Sequence, residues 1–266
     1  MPLEIFIKNQ YIRRKYIKCM GPKYSIIIPT RNEEEAIAKV LCSIPKEIEK
    51  EAEIIVVDSS NDCTPIIAER LGAKVIRVWR KGKGRAMKVG VERSKGGTLI
   101  FLDGDGTDPP QYIPKLFKKL EKADLVLGCR NPSFKSGDKN MNLVFRFYIP
   151  FVRTVFSIIG FDASDPLAGF RAVRKEDWYA LDLKSNGFEI EAEMNVKCIN
   201  KEFKVDVVPI PCLKRGGGLL KSKLVTNPKD WFKILNIILK YIKDEKVKKK
   251  LNKSKDYLKK IIQILK

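Results

Sequence analysis

The chain contains no histidine in 266 residues. That absence excludes Ser-His-Asp and Cys-His triads, an imidazole general base and any His-ligated zinc site. Cysteine is sparse and scattered. The six thiols, Cys19, Cys42, Cys63, Cys129, Cys198 and Cys212, include no C-x-x-C pair, which argues against a zinc or redox motif and favours reduced, buried thiols in a cytosolic protein. Long apolar runs are missing too. No window reaches the roughly 18 uninterrupted apolar residues of a spanning helix, and Arg13, Arg14 and Lys15 near the N-terminus precede no apolar signal core. Neither export nor a membrane span is expected.

Positive charge is abundant and uneven. Residues 1–23 carry six basic side chains against one acidic, and residues 229–266 carry thirteen lysines against four acids, so the two ends hold +14 of the net +21. A cationic chain meets nucleic acid or an anionic membrane surface, and charge alone does not choose between them. The milder excess in the middle also fits a Lys/Glu-rich, thermophile-like surface.

The chain is organised around residues 99–110, LIFLDGDGTDPP. Thr98 to Leu102 reads as a buried strand of a parallel sheet that ends in carboxylates spaced by small residues. The carboxyl ends of strands are where open α/β sheets bind ligands. Asp103 and Asp105, at i and i+2, face one side of an extended segment, and Gly104 lets the backbone come close. Oxygen ligands of this kind suit Mg2+ or Mn2+ bridging substrate phosphates. An acidic turn before a helix is the plain alternative. A calcium loop fits poorly, because its twelfth position is Pro114 rather than a bidentate Glu. Strand followed by Asp-x-Asp-Gly-Thr also resembles the first motif of haloacid-dehalogenase phosphatases, but three strands precede it here and no Asp-Asp pair follows.

In chain order, residues 1–23 form a basic extension ending at Gly21-Pro22. Residues 25–28 are a strand that Pro29 and Thr30 end, and Asn32-Glu33 open a helix to about Ser43. Residues 53–57 are a second strand capped by Asp58, Thr64-Pro65 start a helix that Gly72 stops, and Lys74 to Val78 is a third strand. The turn Gly82-Lys83-Gly84-Arg85 leads into a helix ending near Ser94. Alternating strands and helices predict a doubly wound α/β sheet. Asp58 can accept from a ribose or base edge, or cap a helix. The 82–85 turn offers backbone N–H groups and the Lys83 and Arg85 cations to a diphosphate, without P-loop spacing.

Residues 28–34 (IPTRNEE), 56–58 (VVD) and 101–105 (FLDGD) resemble family 2 glycosyltransferases of the GT-A fold in order and spacing. Residues 126–130 (VLGCR), 164–171 (SDPLAGFR) and 187–193 (GFEIEAE) are similar to the dolichyl-phosphate mannose or glucose synthases within it. The resemblance covers roughly residues 24–224. It implies a mixed, mostly parallel sheet with helices on both faces over 24–228, followed by an amphipathic tail over 229–266. The implied reaction is inverting transfer of one sugar from a GDP- or UDP-sugar to a polyprenyl phosphate. Donor contacts are implied at Pro29, Arg31, Glu33, Asp58, Lys83 and Gly104, and metal ligands at Asp103 and Asp105. Three departures from the usual pattern, Thr107 for a Gln, Arg31 for a Tyr and a compressed 57–62 turn, bear on the donor base. Processive synthesis is disfavoured, since Q-x-x-R-W is absent.

A lipid phosphate is already anionic and needs no general base, provided cations hold it in line. Arg130, Arg215 and Arg146 are candidates for that clamp, each with a surface ion pair as the alternative. Asp165 can orient a sugar hydroxyl, serve as base or cap an element. Of Glu191 and Glu193 only one can reach the site, and Glu191 is preferred. Residues 131–140 read as an acceptor loop. Residues 231–242 form an amphipathic helix that either lies in a headgroup layer or packs on the domain, and lysines over 243–266 can hold the chain on the cytoplasmic face of a membrane. Two alternatives stand: a transferase to a hydroxyl acceptor, and a nucleic-acid-binding protein, which explains the lysines but not the buried Asp-x-Asp strand.

Overall fold

A computed structural model describes residues 21–130, 149–216 and 228–242. Seven strands form one sheet in the order β3-β2-β1-β4-β6-β5-β7. They are β1 (Tyr24–Thr30), β2 (Ala52–Asp58), β3 (Lys74–Arg77), β4 (Thr98–Phe101), β5 (Leu125–Arg130), β6 (Arg171–Arg174) and β7 (Val205–Ile210). Only β6 runs against its neighbours, β4 and β5. The first strand is longer than its apolar core suggests: Pro29 and Thr30 stay in register with Val57 and Asp58.

Strand alternation distributes the core. Ile26, Ile28, Val56, Ile100 and Leu102 face α1 (Glu34–Cys42), α2 (Lys46–Glu49), α3 (Thr64–Arg70) and α5 (Ile113–Leu120). Ile27, Ile55, Val57, Leu99 and Phe101 face α4 (Lys83–Arg93), α7 (Lys175–Leu181) and α8 (Ile190–Asn200). A near-continuous apolar strand therefore buries both faces, as parallel sheets require. Gly90 lets α4 lie close on β1: a Cβ there would come within 2.4 Å of Ile27 Cγ2.

A third core lies beyond β5, where Leu127 and Cys129 meet Val152 and Phe156 of α6 (Ile149–Ile158), Ala192 and Val196 of α8, and Ile234 and Ile238 of α9 (Pro228–Ile242). Of the two readings of the α9 stripe, packing on the domain holds for its buried residues, 234 and 238. Phe232 and Leu239 point outward, 72% and 40% exposed. Among the described residues no helix is long and apolar enough to cross a membrane. Of the thiols expected to be buried, Cys129, Cys198 and Cys212 are, whereas Cys42 and Cys63 are exposed. Residues 1–20 of the basic extension over 1–23, the acceptor loop over 131–140, Arg146 and the lysine tail over 243–266 lie outside the described residues.

Candidate active site

The Asp-x-Asp turn leaves the sheet where β4 stands between parallel β1 and antiparallel β6, a change of direction that opens a crevice at the strand ends. Gly104 is required by packing, since a Cβ would lie 2.7 Å from Thr30 Cγ2. Gly106, at φ +77°, takes the left-handed turn that follows. Thr107 locks Asp105 by donating from its backbone N (3.0 Å) and its Oγ1 (2.7 Å) to Asp105 Oδ1.

Cations from three distant segments converge on this turn. Lys83, from the first turn of α4, places Nζ 2.6 Å from Asp103 Oδ1 and 2.6 Å from Glu191 Oε1. Arg215 Nη1 lies 2.5 Å from Asp105 Oδ2. Arg130, at the end of β5, donates from Nε (3.0 Å) and Nη2 (2.8 Å) to Asp108 Oδ1, and Nη2 also reaches Thr107 Oγ1 (3.1 Å). The same Nη2 is 3.8 Å from Asp103 Oδ2. Burial opposes ionisation of Asp103, but Lys83 and Arg130 outweigh it and hold its pKa below the usual carboxylate value. Asp108 shows the reverse balance: burial, helped by Asp103 and Asp105, pushes it up to about 6 against the pull of Arg130.

Asp165 is 2% exposed, and its Oδ1 has no hydrogen-bond partner. Burial raises its pKa, as it raises that of Glu191 despite Lys83. Behind both stands Arg171, fully buried on β6. Its guanidinium donates to the carbonyls of Ala168 (2.5 Å) and Pro166 (2.9 Å) and to Asn195 Oδ1 (2.8 Å). It ties the 165–168 turn to α8. Gly169 completes the wall, because a Cβ there would fall 2.6 Å from both Asp103 Oδ2 and Lys83 Nζ. Glu193 turns away, as the i, i+2 spacing on α8 demands, and accepts from the backbone N of Lys184 and Ser185.

The β1–β2 side of the same carboxyl edge is built differently. Asp58, fully buried, accepts from Thr30 Oγ1 (2.8 Å), Ser60 Oγ (2.5 Å), Ser60 N (3.0 Å) and Arg77 Nη1 (2.8 Å). It caps no helix, and a ribose would have to displace one of these donors. Neighbouring loops are interlocked: Asn32 N donates to Ser60 Oγ and Glu33 N to Thr64 Oγ1. Arg31 is exposed at the tip, and Pro29 lies within β1. The 82–85 turn needs correction. Gly84 N donates to Gly187 O (3.2 Å) and Arg85 N to Asn186 O (3.0 Å), so these backbone donors are engaged by the 185–187 loop, and Lys83's side chain is what reaches the site.

The structure thus brings Asp103, Asp105, Asp165, Lys83, Arg130 and Arg215 together and places Asp58, Pro29, Arg31 and Glu33 at the β1–β2 end. Sequence reasoning assigned no role to Asp108, Arg171 or Arg77. The first was visible as a third acid after the Asp-x-Asp, and the others as charged residues in short strands. Asp103 and Asp105 offer hard carboxylate oxygens. Mg2+-type sites commonly use one or two carboxylates, with substrate phosphates and water completing the shell. That donor set fits a divalent ion, and among the described residues no group of three or more acidic or Cys side chains is placed to hold a metal.

Residues 25–179 match Glycosyl transferase family 2. A dolichyl-phosphate hexose transferase of Haloferax volcanii is 31% identical over 195 residues, covering 73% of this chain and 84% of that protein. A dolichol-phosphate mannosyltransferase of Pyrococcus furiosus is 32% identical over 223 residues, and there the chain spans only 60% of the relative's length. Glucosyl-3-phosphoglycerate synthase of Mycobacterium tuberculosis, solved with Mn2+, UDP and glucosyl-3-phosphoglycerate, superposes with a TM-score of 0.62 at 23% identity, over 86% of this chain and 82% of that one. The fold likeness and the sequence matches converge: the chain belongs to glycosyl transferase family 2 and is a glycosyltransferase of the GT-A fold.

Proposed function

We propose that the chain transfers one hexose, with inversion, from a nucleoside-diphosphate sugar to a polyprenyl phosphate. The observation that carries this reading is the convergence of Lys83, Arg130 and Arg215 on Asp103, Asp105 and Asp108 at one sheet edge. Such a site accommodates two anionic groups, a leaving diphosphate and an attacking phosphate. The names of the Haloferax and Pyrococcus relatives point the same way. A divalent ion held by Asp103 and Asp105 would offset charge on the diphosphate.

The protein's own groups do the rest. Lys83 and Arg215 take the diphosphate oxygens, and Arg130, fixed in orientation by Asp108, holds the acceptor phosphate in line. A phosphate oxygen of the acceptor attacks the anomeric carbon, and the bond to the β-phosphate breaks with its electron pair leaving on the diphosphate. No proton has to be removed from the nucleophile. Lys233 and Lys240 flank the exposed Phe232 and Leu239 on α9, which suits a peripheral position beside a lipid surface.

A second reading is favoured by Asp165, whose buried, unpartnered oxygen and raised pKa fit a general base for a hydroxyl acceptor. Purified protein incubated with radiolabelled GDP-mannose or UDP-glucose, Mn2+ or Mg2+, and dolichyl phosphate in detergent separates the two. Label in the organic phase, in the inverted anomeric configuration, is expected. Label passing only to soluble hydroxyl compounds such as 3-phosphoglycerate would replace the first reading with the second.

A further inference from the structure

The two carboxylates of the Asp-x-Asp turn each hold a cation, and the two cations are not equivalent. Lys83 lies between Asp103 and Glu191 at 2.6 Å from each, so it keeps a carboxylate when one is taken from it. Arg215 faces Asp105 Oδ2 at 2.5 Å with its side chain only 9% exposed, and its Nε is buried without a hydrogen-bond partner. The backbone delivers it there. Leu213 N donates to Thr107 O (2.9 Å) and Gly216 N to Asp105 O (3.0 Å), so the segment that carries Arg215 is fastened to the turn that carries Asp105. Gly216 permits this closeness, because a Cβ would lie 2.5 Å from Ala36 Cβ.

Both oxygens of Asp105 are therefore engaged, Oδ1 by Thr107 and Oδ2 by Arg215. A divalent ion that ligates Asp105 meets a guanidinium already on the oxygen and a like charge beside it. Separating Arg215 from its carboxylate leaves a buried cation unpaired, which is costly until another anion arrives. The diphosphate of the donor is such an anion.

We infer that Arg215 is the resident competitor of the divalent ion at Asp105 and passes to the donor diphosphate when both ligands bind, coupling metal and nucleotide positively through this one side chain. The inference rests on the reading of Asp103 and Asp105 as metal ligands. Linkage makes the coupling reciprocal: nucleotide tightens metal as much as metal tightens nucleotide.

Metal binding without turnover tests it. Free Mn2+ is measured by electron paramagnetic resonance during titration of the full chain, alone and with GDP or UDP in separate arms, for the parent protein, Arg215→Gln, Arg215→Lys and Asp105→Asn. Removing the competitor should tighten Mn2+ binding without nucleotide by about tenfold, the scale of one charge-assisted hydrogen bond. The same variant should weaken nucleotide binding in the presence of Mn2+, so that the coupling collapses. Arg215→Lys keeps the charge and should stay within about twofold of the parent for Mn2+ alone, on the same reasoning. Unchanged or weaker Mn2+ binding in Arg215→Gln, or equal tightening in Arg215→Lys, overturns the competition. Failure of the underlying site reading looks different: Asp105→Asn then binds Mn2+ as the parent does, with or without nucleotide.

Discussion

Two acids at the same sheet edge, Asp58 at the end of β2 and Asp103 just past β4, are equipped in opposite ways. Asp58 is fully enclosed and receives four donors, three of them from Thr30 and Ser60, two hydroxyls and one backbone N. Asp103 keeps 22% side-chain exposure and is held by ionic side chains, Lys83 and Arg130, that also serve other acids. Around it, Asp108 Oδ2 and Asp165 Oδ1 are buried without hydrogen-bond partners. A polar group whose partners are complete stabilises the fold. One whose partners are shared or missing retains capacity for a ligand, at a cost in stability.

The sharpest way to break this contrast is to remove one charge on each side. Asp103→Asn or Asp105→Asn should lower sugar transfer by about a thousandfold or more, since stabilising charge on a departing diphosphate is worth several kcal/mol. The urea midpoint should hardly move in Asp103→Asn, where Lys83 keeps Glu191, and should fall in Asp105→Asn, which leaves the buried Arg215 unpaired. Retained turnover in either variant would dissolve the distinction. Asp58→Ala should act the other way, with a stability loss of about 2–3 kcal/mol from the buried hydroxyls of Thr30 and Ser60 left without an acceptor. The half-exposed Arg77 adds little to that figure. Mn2+ affinity in Asp58→Ala should match the parent.

Two glycines extend the comparison from charge to packing. Gly169→Ala pushes a methyl against Asp103 Oδ2 and Lys83 Nζ, the far ends of flexible side chains. The fold should tolerate it within about 1 kcal/mol, while displacement of the ion pair lowers turnover by about tenfold. Gly90→Ala meets Ile27 Cγ2 in the fully buried core instead, and should cost about 1–3 kcal/mol through overpacking. Equal effects on turnover and stability at both positions would show that Gly169 is merely structural.

What could be read from the sequence follows from the range over which each signal acts. Residues 25–28 and 53–57 announce buried strands because local alternation and apolar content are properties of a few consecutive residues. Asp103 and Asp105 announce a strand-end site for the same reason. The Arg77–Asp58 pair, the reach of Arg215 to Asp105 and the burial of Arg171 depend on how strands are ordered in the sheet, which no window contains. The 82–85 turn misled for this reason too. Its backbone donors are free in a local reading, and the 185–187 loop that takes them is about a hundred residues away. The α9 stripe is likewise a correct local observation whose partner, α8, had to be seen.

Asp108 offers the smallest and most specific test of the unequal equipment. Its pKa in the folded protein is pushed up to about 6 from an ordinary 3.8 by burial, against Arg130. Between those values the folded chain holds a proton that the unfolded chain has released, so stability falls as pH rises from about 4 to about 6, and the contribution is flat outside that window. The slope from one such group is no steeper than about 1.4 kcal/mol per pH unit. Asp108→Asn removes the titration while an amide oxygen still accepts from Arg130. Urea midpoints of parent and variant should therefore drift apart, in the variant's favour, between pH 4 and pH 6 and run parallel above it. Parallel curves throughout would mean that Arg130 fully compensates Asp108, and that this acid belongs with Asp58 among the completed groups.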